Sequence, residues 1–94
     1  MEYNEFLNSV EGGTPPTGLS LCLTALWYDA KGEWATAHRS IDSAEYGDAY
    51  WVHAYLHRKE GDIWNADYWY RRAGKTRPAI ALQEEWSAIV KALL

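Results

Sequence analysis

Two histidines stand one helical turn apart in the middle of the chain. His53 and His57 are four positions apart within residues 49–60, which read as a helix, so both imidazoles point to the same side of it. Two imidazoles at this spacing can chelate a divalent metal ion such as zinc. The segment lacks the glutamate of the H-E-x-x-H zinc-protease motif, and the single cysteine can supply no cysteine pair. The residues themselves therefore favour packed, hydrogen-bonded core histidines over a metal site.

Aromatic residues and an arginine recur at helical spacing farther along the chain. Trp64, Tyr68 and Arg72 are spaced i, i+4, i+8, opposite the small and apolar residues of the same segment. An exposed stripe of this composition is typical of an interface anchor, and arginine can lie over the rings. The alternative is a helix covered on both sides. We favour an interface and expect self-association, because six Trp, seven Tyr and one Phe are hard to bury in 94 residues.

Basic residues cluster beside this stripe, although the chain as a whole is acidic. Arg71, Arg72, Lys75 and Arg77 lie at the predicted carboxyl end of a helix, where they complement the helix dipole. An anion site is the alternative. The formal net charge of −4 argues against a general nucleic-acid-binding protein. No phosphate-binding loop or nucleophile motif is present, and we identify no catalytic residue.

The composition is that of one small globular domain. The chain is 48% hydrophobic and 23% charged, and its length suffices for one core. The longest mostly apolar stretch, residues 19–28, is too short to span a bilayer, and the acidic amino-terminal region does not resemble a targeting signal. A lone cysteine excludes an internal disulfide. We therefore expect a single domain, residues 1–94, in the cytoplasm and away from membranes.

Breaker residues divide the chain into helices. Residues 2–10 could form a short helix, residues 11–18 (EGGTPPTG) read as a loop, and we expect five helices or fewer and no sheet. Asp48 and Asp62 are predicted helix caps, and Pro78 suits the first turn of the last helix. The predicted main helices cover residues 19–30, 33–44, 49–60, 63–73 and 78–93, the last with an apolar stripe of Leu82, Trp86, Ile89, Val90 and Leu93.

An internal repeat organises these helices. Gly32 aligns with Gly61 at a shift of 29 residues, and each lies in a turn between two predicted helices. At the same shift Ala25 falls on Ala54. One helical hairpin cannot bury its apolar face alone, so the two repeated hairpins should stack. Three further pairs align at this shift: Tyr28 with His57, Ala37 with Ala66, and Ala44 with Ala73.

The repeated residues resemble the tetratricopeptide pattern, in which small residues occupy helix crossings and large ones fill the space beside them. This resemblance implies an all-α fold of two stacked tetratricopeptide-like hairpins, with a C-terminal capping helix and a short N-terminal helix. The segments WVHAYLHRKEGD and YWYRRAG also resemble small bacterial proteins, which implies no activity. The matching residues are Leu21, Thr24, Ala25, Tyr28, Ala37, Ile41 and Ala44, then Tyr50, His53, Ala54, His57, Ala66, Tyr70 and Pro78.

Tetratricopeptide proteins use the concave face of their stacked hairpins to hold an extended peptide or a partner helix. The resemblance places Trp51, Tyr55 and Arg58 on that face. The alternative is that two hairpins are too few for a groove and that the last helix covers this stripe. The resemblance also packs the second helix of the first hairpin against the helix that carries the two histidines. His38 could then approach them as a third metal ligand.

The sequence leaves two functions open. We prefer a protein–protein interaction module, self-associating and without a cofactor, that binds a protein or peptide partner. The alternative is a small metal-binding protein or enzyme that uses His38, His53 and His57 to hold a divalent ion such as zinc. The first function needs the aromatic stripes at the surface. The second needs the three imidazoles to converge where solvent can reach them.

Overall fold

The computed structural model describes residues 1–94, and all of its regular secondary structure is helical. It confirms the predicted all-α class. The five main helices and the short amino-terminal helix of the prediction are all present, so the total is six and the limit of five was too low. The six helices are α1 (Tyr3–Ser9), α2 (Leu21–Ala30), α3 (Trp34–Ile41), α4 (Gly47–Glu60), α5 (Ile63–Arg72) and α6 (Leu82–Leu93).

Two helical hairpins, α2–α3 and α4–α5, turn in the same way. Gly32 and Gly61 adopt the left-handed conformation, with φ of 81° and 88°, which favours glycine. The residue after each glycine then donates its N–H to a carbonyl five residues back: Glu33 to Tyr28 at 3.0 Å, and Asp62 to His57 at 2.9 Å. The repeat read from the sequence is therefore a repeat of backbone geometry.

Alanines occupy the positions where the helices of the two hairpins pack closely. Ala25, Ala37, Ala54 and Ala66 are all 0% exposed. The hairpins stack through α4, which contacts both α2 and α3. Since a methyl group is the largest side chain that such close approach accommodates, larger residues at these four positions would force the helices apart.

The last helix, α6, packs across α2 and α4 and closes the core. Trp86, Ile89 and Val90 of its predicted apolar stripe are buried, and Leu82 and Leu93 pack against the core at its margin. The Trp86 indole donates to the carbonyl oxygen of Leu26 at 3.0 Å, which ties α6 to α2. The expected capping helix is thus present.

Several predicted helix boundaries are wrong by a few residues. Helix α2 begins later than predicted, because the Ser20 hydroxyl accepts the N–H of Leu23 as an amino-terminal cap. Helix α4 begins at Gly47, so Asp48 lies inside its first turn instead of capping it. Helix α6 begins at Leu82, and Pro78 lies in the irregular connection before it.

The amino-terminal helix packs on the same core. Phe6 is fully buried and its ring lies 5.9 Å from that of Trp86. The Trp27 indole donates to the Ser9 hydroxyl at 3.2 Å, and the hydroxyls of Tyr3 and Ser87 are 2.7 Å apart. Among all six helices, none combines the length and the apolar character required to cross a membrane.

Candidate metal centre

All three histidines of the chain converge at the boundary between the two hairpins. His38 projects from α3, and His53 and His57 project from successive turns of α4. The Nε2 atoms of His38 and His53 are 3.0 Å apart. The ring centroids lie 4.7 Å (His38–His53), 4.9 Å (His53–His57) and 5.3 Å (His38–His57) apart.

The repeat explains how these side chains meet. The four-residue spacing on α4 stacks the rings of His53 and His57, whose planes differ by 22°. Helix α3 packs beside α4 and presents His38 edge-on to both rings, at 76° to each. The cluster therefore needs the second helix of one hairpin and the first helix of the next.

Two tryptophans form aromatic walls around the cluster. The Trp34 ring stacks on His38 with centroids 5.0 Å apart and planes 10° apart. The Trp69 ring stacks on His53 at 4.0 Å and 15°. Trp34 is held in place because its indole N–H donates to the Leu56 carbonyl at 2.8 Å. Sequence reasoning missed both tryptophans, although the four-residue spacing of Trp34 and His38 was a usable signal.

The environment of His38 and His53 favours their neutral forms. Burial, and then the neighbouring His38 and His57, lower the pKa of His53 to about 4. Burial and His57 also lower the pKa of His38, against the opposing effect of Asp42 and Glu60. Because only a neutral imidazole has a lone pair for a metal ion, His38 and His53 are ready to ligate at neutral pH.

Carboxylates flank the cluster on its outer side. The Nδ1 atom of His57 is 3.6 Å from Glu60 Oε1 and 3.8 Å from Asp62 Oδ2. The Nδ1 atom of His38 is 3.9 Å from Asp42 Oδ2. These separations exceed hydrogen-bond length, and His57 Nδ1 is buried without a hydrogen-bond partner.

The nitrogen positions come near to those around a small divalent ion. Zinc–nitrogen bonds of about 2.0–2.1 Å in a tetrahedron place two ligand nitrogens about 3.3 Å apart. One ring nitrogen from each histidine lies within 4.8 Å of the others. The closest pair, the Nε2 atoms of His38 and His53, is already 3.0 Å apart, and side-chain rotations that bring the remaining nitrogen closer would complete the set.

The cluster is covered by protein on most sides but is reachable from solvent. The side chain of His38 is 25% exposed and that of His57 is 11% exposed. None of the three surface cavities is lined by a histidine. The arrangement suits a bound ion better than a substrate cleft, because a substrate needs a concave surface around the reacting centre.

The structure places the Trp51, Tyr55 and Arg58 stripe under α6 and the connection before it. Tyr55 is 2% exposed and donates to Asp29 Oδ2 at 2.9 Å. Arg58 pairs with Glu85 of α6 at 2.8 Å, and Lys75 lies 4.1 Å from the ring centroid of half-buried Trp51. The structure therefore shows the arrangement given as the alternative, in which the last helix covers this stripe. A role of these three residues in binding a partner stays a prediction.

The Trp64, Tyr68 and Arg72 stripe lies at the surface, as expected. Trp64 is 77% exposed and Tyr68 is 37% exposed. Arg72 lies 4.7 Å from the ring centroid of Tyr50 and 5.9 Å from that of Tyr68, and donates to both hydroxyls at 3.2 Å. This face has the residues of an interface, with its arginine already ordered over aromatic rings.

The predicted basic cluster is dispersed over several partners. Arg77 pairs with Asp67 at 2.8 Å, Lys75 lies over Trp51, and Arg72 lies over the tyrosines. Arg71, Lys75 and Arg77 line one shallow surface cavity together with Asp67. Because Arg77 is paired with Asp67 and Lys75 lies over Trp51, two of these three charges already have partners inside the protein.

Two buried polar networks were not found from the sequence. Asp29, 2% exposed, accepts from Tyr55 and from Lys59, each at 2.9 Å. Glu85, also 2% exposed, accepts from Tyr70 at 2.6 and 2.8 Å and from Arg58 at 2.8 Å. Both networks lie apart from the histidines and hold the helices together.

Comparison of the chain with protein-family models, with curated proteins and with solved structures found no match. The relation to tetratricopeptide proteins, the relation to small bacterial proteins and the cytoplasmic location all stay predictions.

Proposed function

We propose that this protein binds one divalent transition-metal ion, such as zinc, through His38, His53 and His57. The observation that carries the proposal is that the only three histidines of the chain meet at one place. Two belong to one helix and the third to another hairpin, so local sequence spacing alone does not account for the convergence.

The state of the three rings supports a metal over a simple packing role. A buried imidazole in a core is normally hydrogen-bonded through its polar atoms. Here His57 Nδ1 has no hydrogen-bond partner, and the Nε2 atoms of His38 and His53, 3.0 Å apart, share a single hydrogen bond. An ion bound by one nitrogen of each ring would replace this hydrogen bond and would bring the His57 ring into the same set of contacts.

Three histidine ligands leave the fourth position of a tetrahedral ion open to water or another small donor. The aromatic walls provided by Trp34 and Trp69 fix the planes of His38 and His53, which limits the entropy lost on coordination. Nitrogen ligands without thiolates suit zinc, copper and nickel. The proposal is therefore a binding function, and it includes no reaction.

Thermal melting with and without zinc tests this proposal. At pH 7.5 and a hundredfold excess over Kd, binding should stabilise the fold by about 2.7 kcal/mol, a rise in Tm of roughly 10–20 °C. The variant His57→Gln should lose this response. Gln83→Ala, an exposed substitution on α6, is the control and should keep it. A wild-type Tm that does not change when zinc is added would contradict the proposal.

Titration calorimetry and fluorescence provide independent readouts. We expect one ion per chain, and Cu²⁺ should bind more tightly than Zn²⁺. Because Trp34 and Trp69 stack on two of the ligands, Cu²⁺ should quench tryptophan fluorescence in the wild type. His38→Gln should abolish that quenching at equal ion concentration.

Self-association through α5 is a second candidate function, supported by the exposure of Trp64. Ile63, Trp64 and Tyr68 are 38%, 77% and 37% exposed and lie on one short helix. We propose a homodimer that buries this face. Sedimentation at micromolar concentration should show a dimer that Trp64→Ala weakens and that Leu21→Ala, at another exposed apolar residue, leaves intact. A monomer at high concentration would contradict this candidate.

A further inference from the structure

We infer that Glu60 and Asp62 keep the proton of His57 on Nδ1, so that Nε2 is the His57 atom presented to the metal. The assignment of the proton stands on the structure of the protein without metal. Its consequence for ligation rests on the proposed function.

The Nδ1 atom of His57 is buried and faces two carboxylates. His57 is 9% exposed, and its Nδ1 is the one buried side-chain polar atom in the chain without a hydrogen-bond partner. The two polar groups that face it are the Glu60 and Asp62 carboxylates, at 3.6 and 3.8 Å. An ionised carboxylate can only accept a hydrogen bond, so this contact is attractive when Nδ1 carries the hydrogen. With the proton on Nε2, two negative groups would face a lone pair.

The turn between α4 and α5 holds the Asp62 carboxylate beside the His57 ring. Gly61 turns the chain with φ of 88°, and the Asp62 N–H then donates to the His57 carbonyl at 2.9 Å. This hydrogen bond brings Asp62 back beside the ring of His57. The Asn65 side chain donates to Asp62 Oδ2 at 2.9 Å and orients the carboxylate. The position of Asp62 is therefore set by the hairpin turn and does not depend on a bound ion.

The position of the His57 proton decides which of its nitrogens can bind a metal ion. Metal-bound histidines commonly donate their second ring N–H to a carboxylate, which fixes the tautomer and raises the basicity of the ligating nitrogen. With its proton on Nδ1, which faces Glu60 and Asp62, His57 can ligate through Nε2 alone. The cluster can therefore hold one ion. Glu60 and Asp62 are then positioning residues that act through His57.

Long-range ¹H–¹⁵N correlation of the histidine rings tests the inference in the protein without metal. At pH 8, His57 should be in the Nδ1–H form in the wild type and in a mixture of both forms in the double variant Glu60→Gln, Asp62→Asn. The side chain of Asp62, the residue before α5, makes no capping hydrogen bond, so α5 should keep its start in the variant. Asp42→Asn, which alters the carboxylate beside His38, is the control and should leave His57 unchanged.

Zinc titration of the same proteins separates the two proposals. The double variant should bind one ion about tenfold more weakly than the wild type. An Nε2–H form of His57 in the wild type, or two zinc ions per chain, would overturn the inference and leave the three-histidine site standing. Unchanged zinc affinity in the double variant would also overturn it. A wild type with the Nδ1–H form but no zinc binding would support the proton assignment and sink the proposed function.

Discussion

The α2–α3 and α4–α5 hairpins use one backbone plan for different chemistry. Both turn at a left-handed glycine, Gly32 or Gly61, and both bury alanines where their helices cross. Yet Thr24 and Tyr28 of the first hairpin stand where the second has His53 and His57, and Asp67 of the second stands where the first has His38. The repeat supplies the positions, and the substituted side chains supply the chemistry.

This difference also explains why the cluster occurs once. Its members come from α3 of the first hairpin and α4 of the second, which face each other only at the boundary between units. Two stacked hairpins have a single such boundary. A site built there is sensitive to how the units stack, whereas a site within one hairpin would depend on that hairpin alone.

The largest expected difference between the hairpins concerns the equivalent residues Asp29 and Arg58. Arg58→Ala should cost about 3–5 kcal/mol, because it leaves the buried carboxylate of Glu85 without its cation. Asp29→Ala should cost less, about 1–3 kcal/mol, because the hydroxyl of Tyr55 loses its acceptor. The ammonium group of Lys59, whose side chain is 38% exposed, can be hydrated by solvent instead.

Urea unfolding of both variants measures this difference. Unchanged m-values would show that both proteins unfold from the same compact state. Equal losses of stability would mean that the networks around Asp29 and Glu85 are equivalent, against the asymmetry argued from their burial.

Enlarging the buried alanines tests what the hairpins share. Ala37→Leu and Ala66→Leu each add bulk at a position that is 0% exposed, and each should cost about 1–3 kcal/mol by overpacking. The two costs should agree closely if the repeat is structurally real. A melt unaffected by Ala66→Leu would show that the α4–α5 crossing has room and that the repeat frame is wrong there.

The parts of this architecture that the sequence could predict are those set by local spacing. The shift of 29 residues located both turns and the buried alanines, and the interval between His53 and His57 placed both rings on one side of α4. The approach of His38 depended on how α3 packs against α4, which only the resemblance to tetratricopeptide proteins suggested. Residue patterns also could not show that α6 covers Trp51, Tyr55 and Arg58, because amphipathic stripes do not reveal which helix packs on them.

Acid should destabilise the protein through the buried histidines of the cluster, and His53 of the second hairpin provides the clearest test. His53 has a pKa of about 4 in the folded chain and about 6.5 when unfolded, so the unfolded state takes up a proton first as the pH falls. The contribution of His53 to stability should be constant well above pH 6.5, and should decline by about 2–3 kcal/mol as the pH falls from 6.5 to 4.

Replacing the histidine isolates this contribution. His53→Gln cannot titrate, so its stability should decline less over the same interval of pH than that of the wild type. Thr24→Val, at the equivalent position of the first hairpin, is the control and should retain the full wild-type slope. Parallel curves for the wild type and His53→Gln would show that His53 is not held neutral by burial.

The smallest expected effect concerns the turns themselves. Gly32→Ala and Gly61→Ala should each cost about 1 kcal/mol, because alanine is strained in the left-handed conformation while the added methyl group meets no atom within 4 Å. The two variants should be alike in thermal melts without metal and should differ in their response to zinc. A shift of the turn at Gly61 moves Asp62 away from His57, a proposed metal ligand. The same shift at Gly32 moves Glu33 away from Tyr28, which is not a ligand. We therefore expect a smaller rise in Tm with zinc for Gly61→Ala than for Gly32→Ala. Equal zinc responses would show that the turn at Gly61 does not position the carboxylate, and that the chemistry of the second hairpin is independent of the geometry it shares with the first.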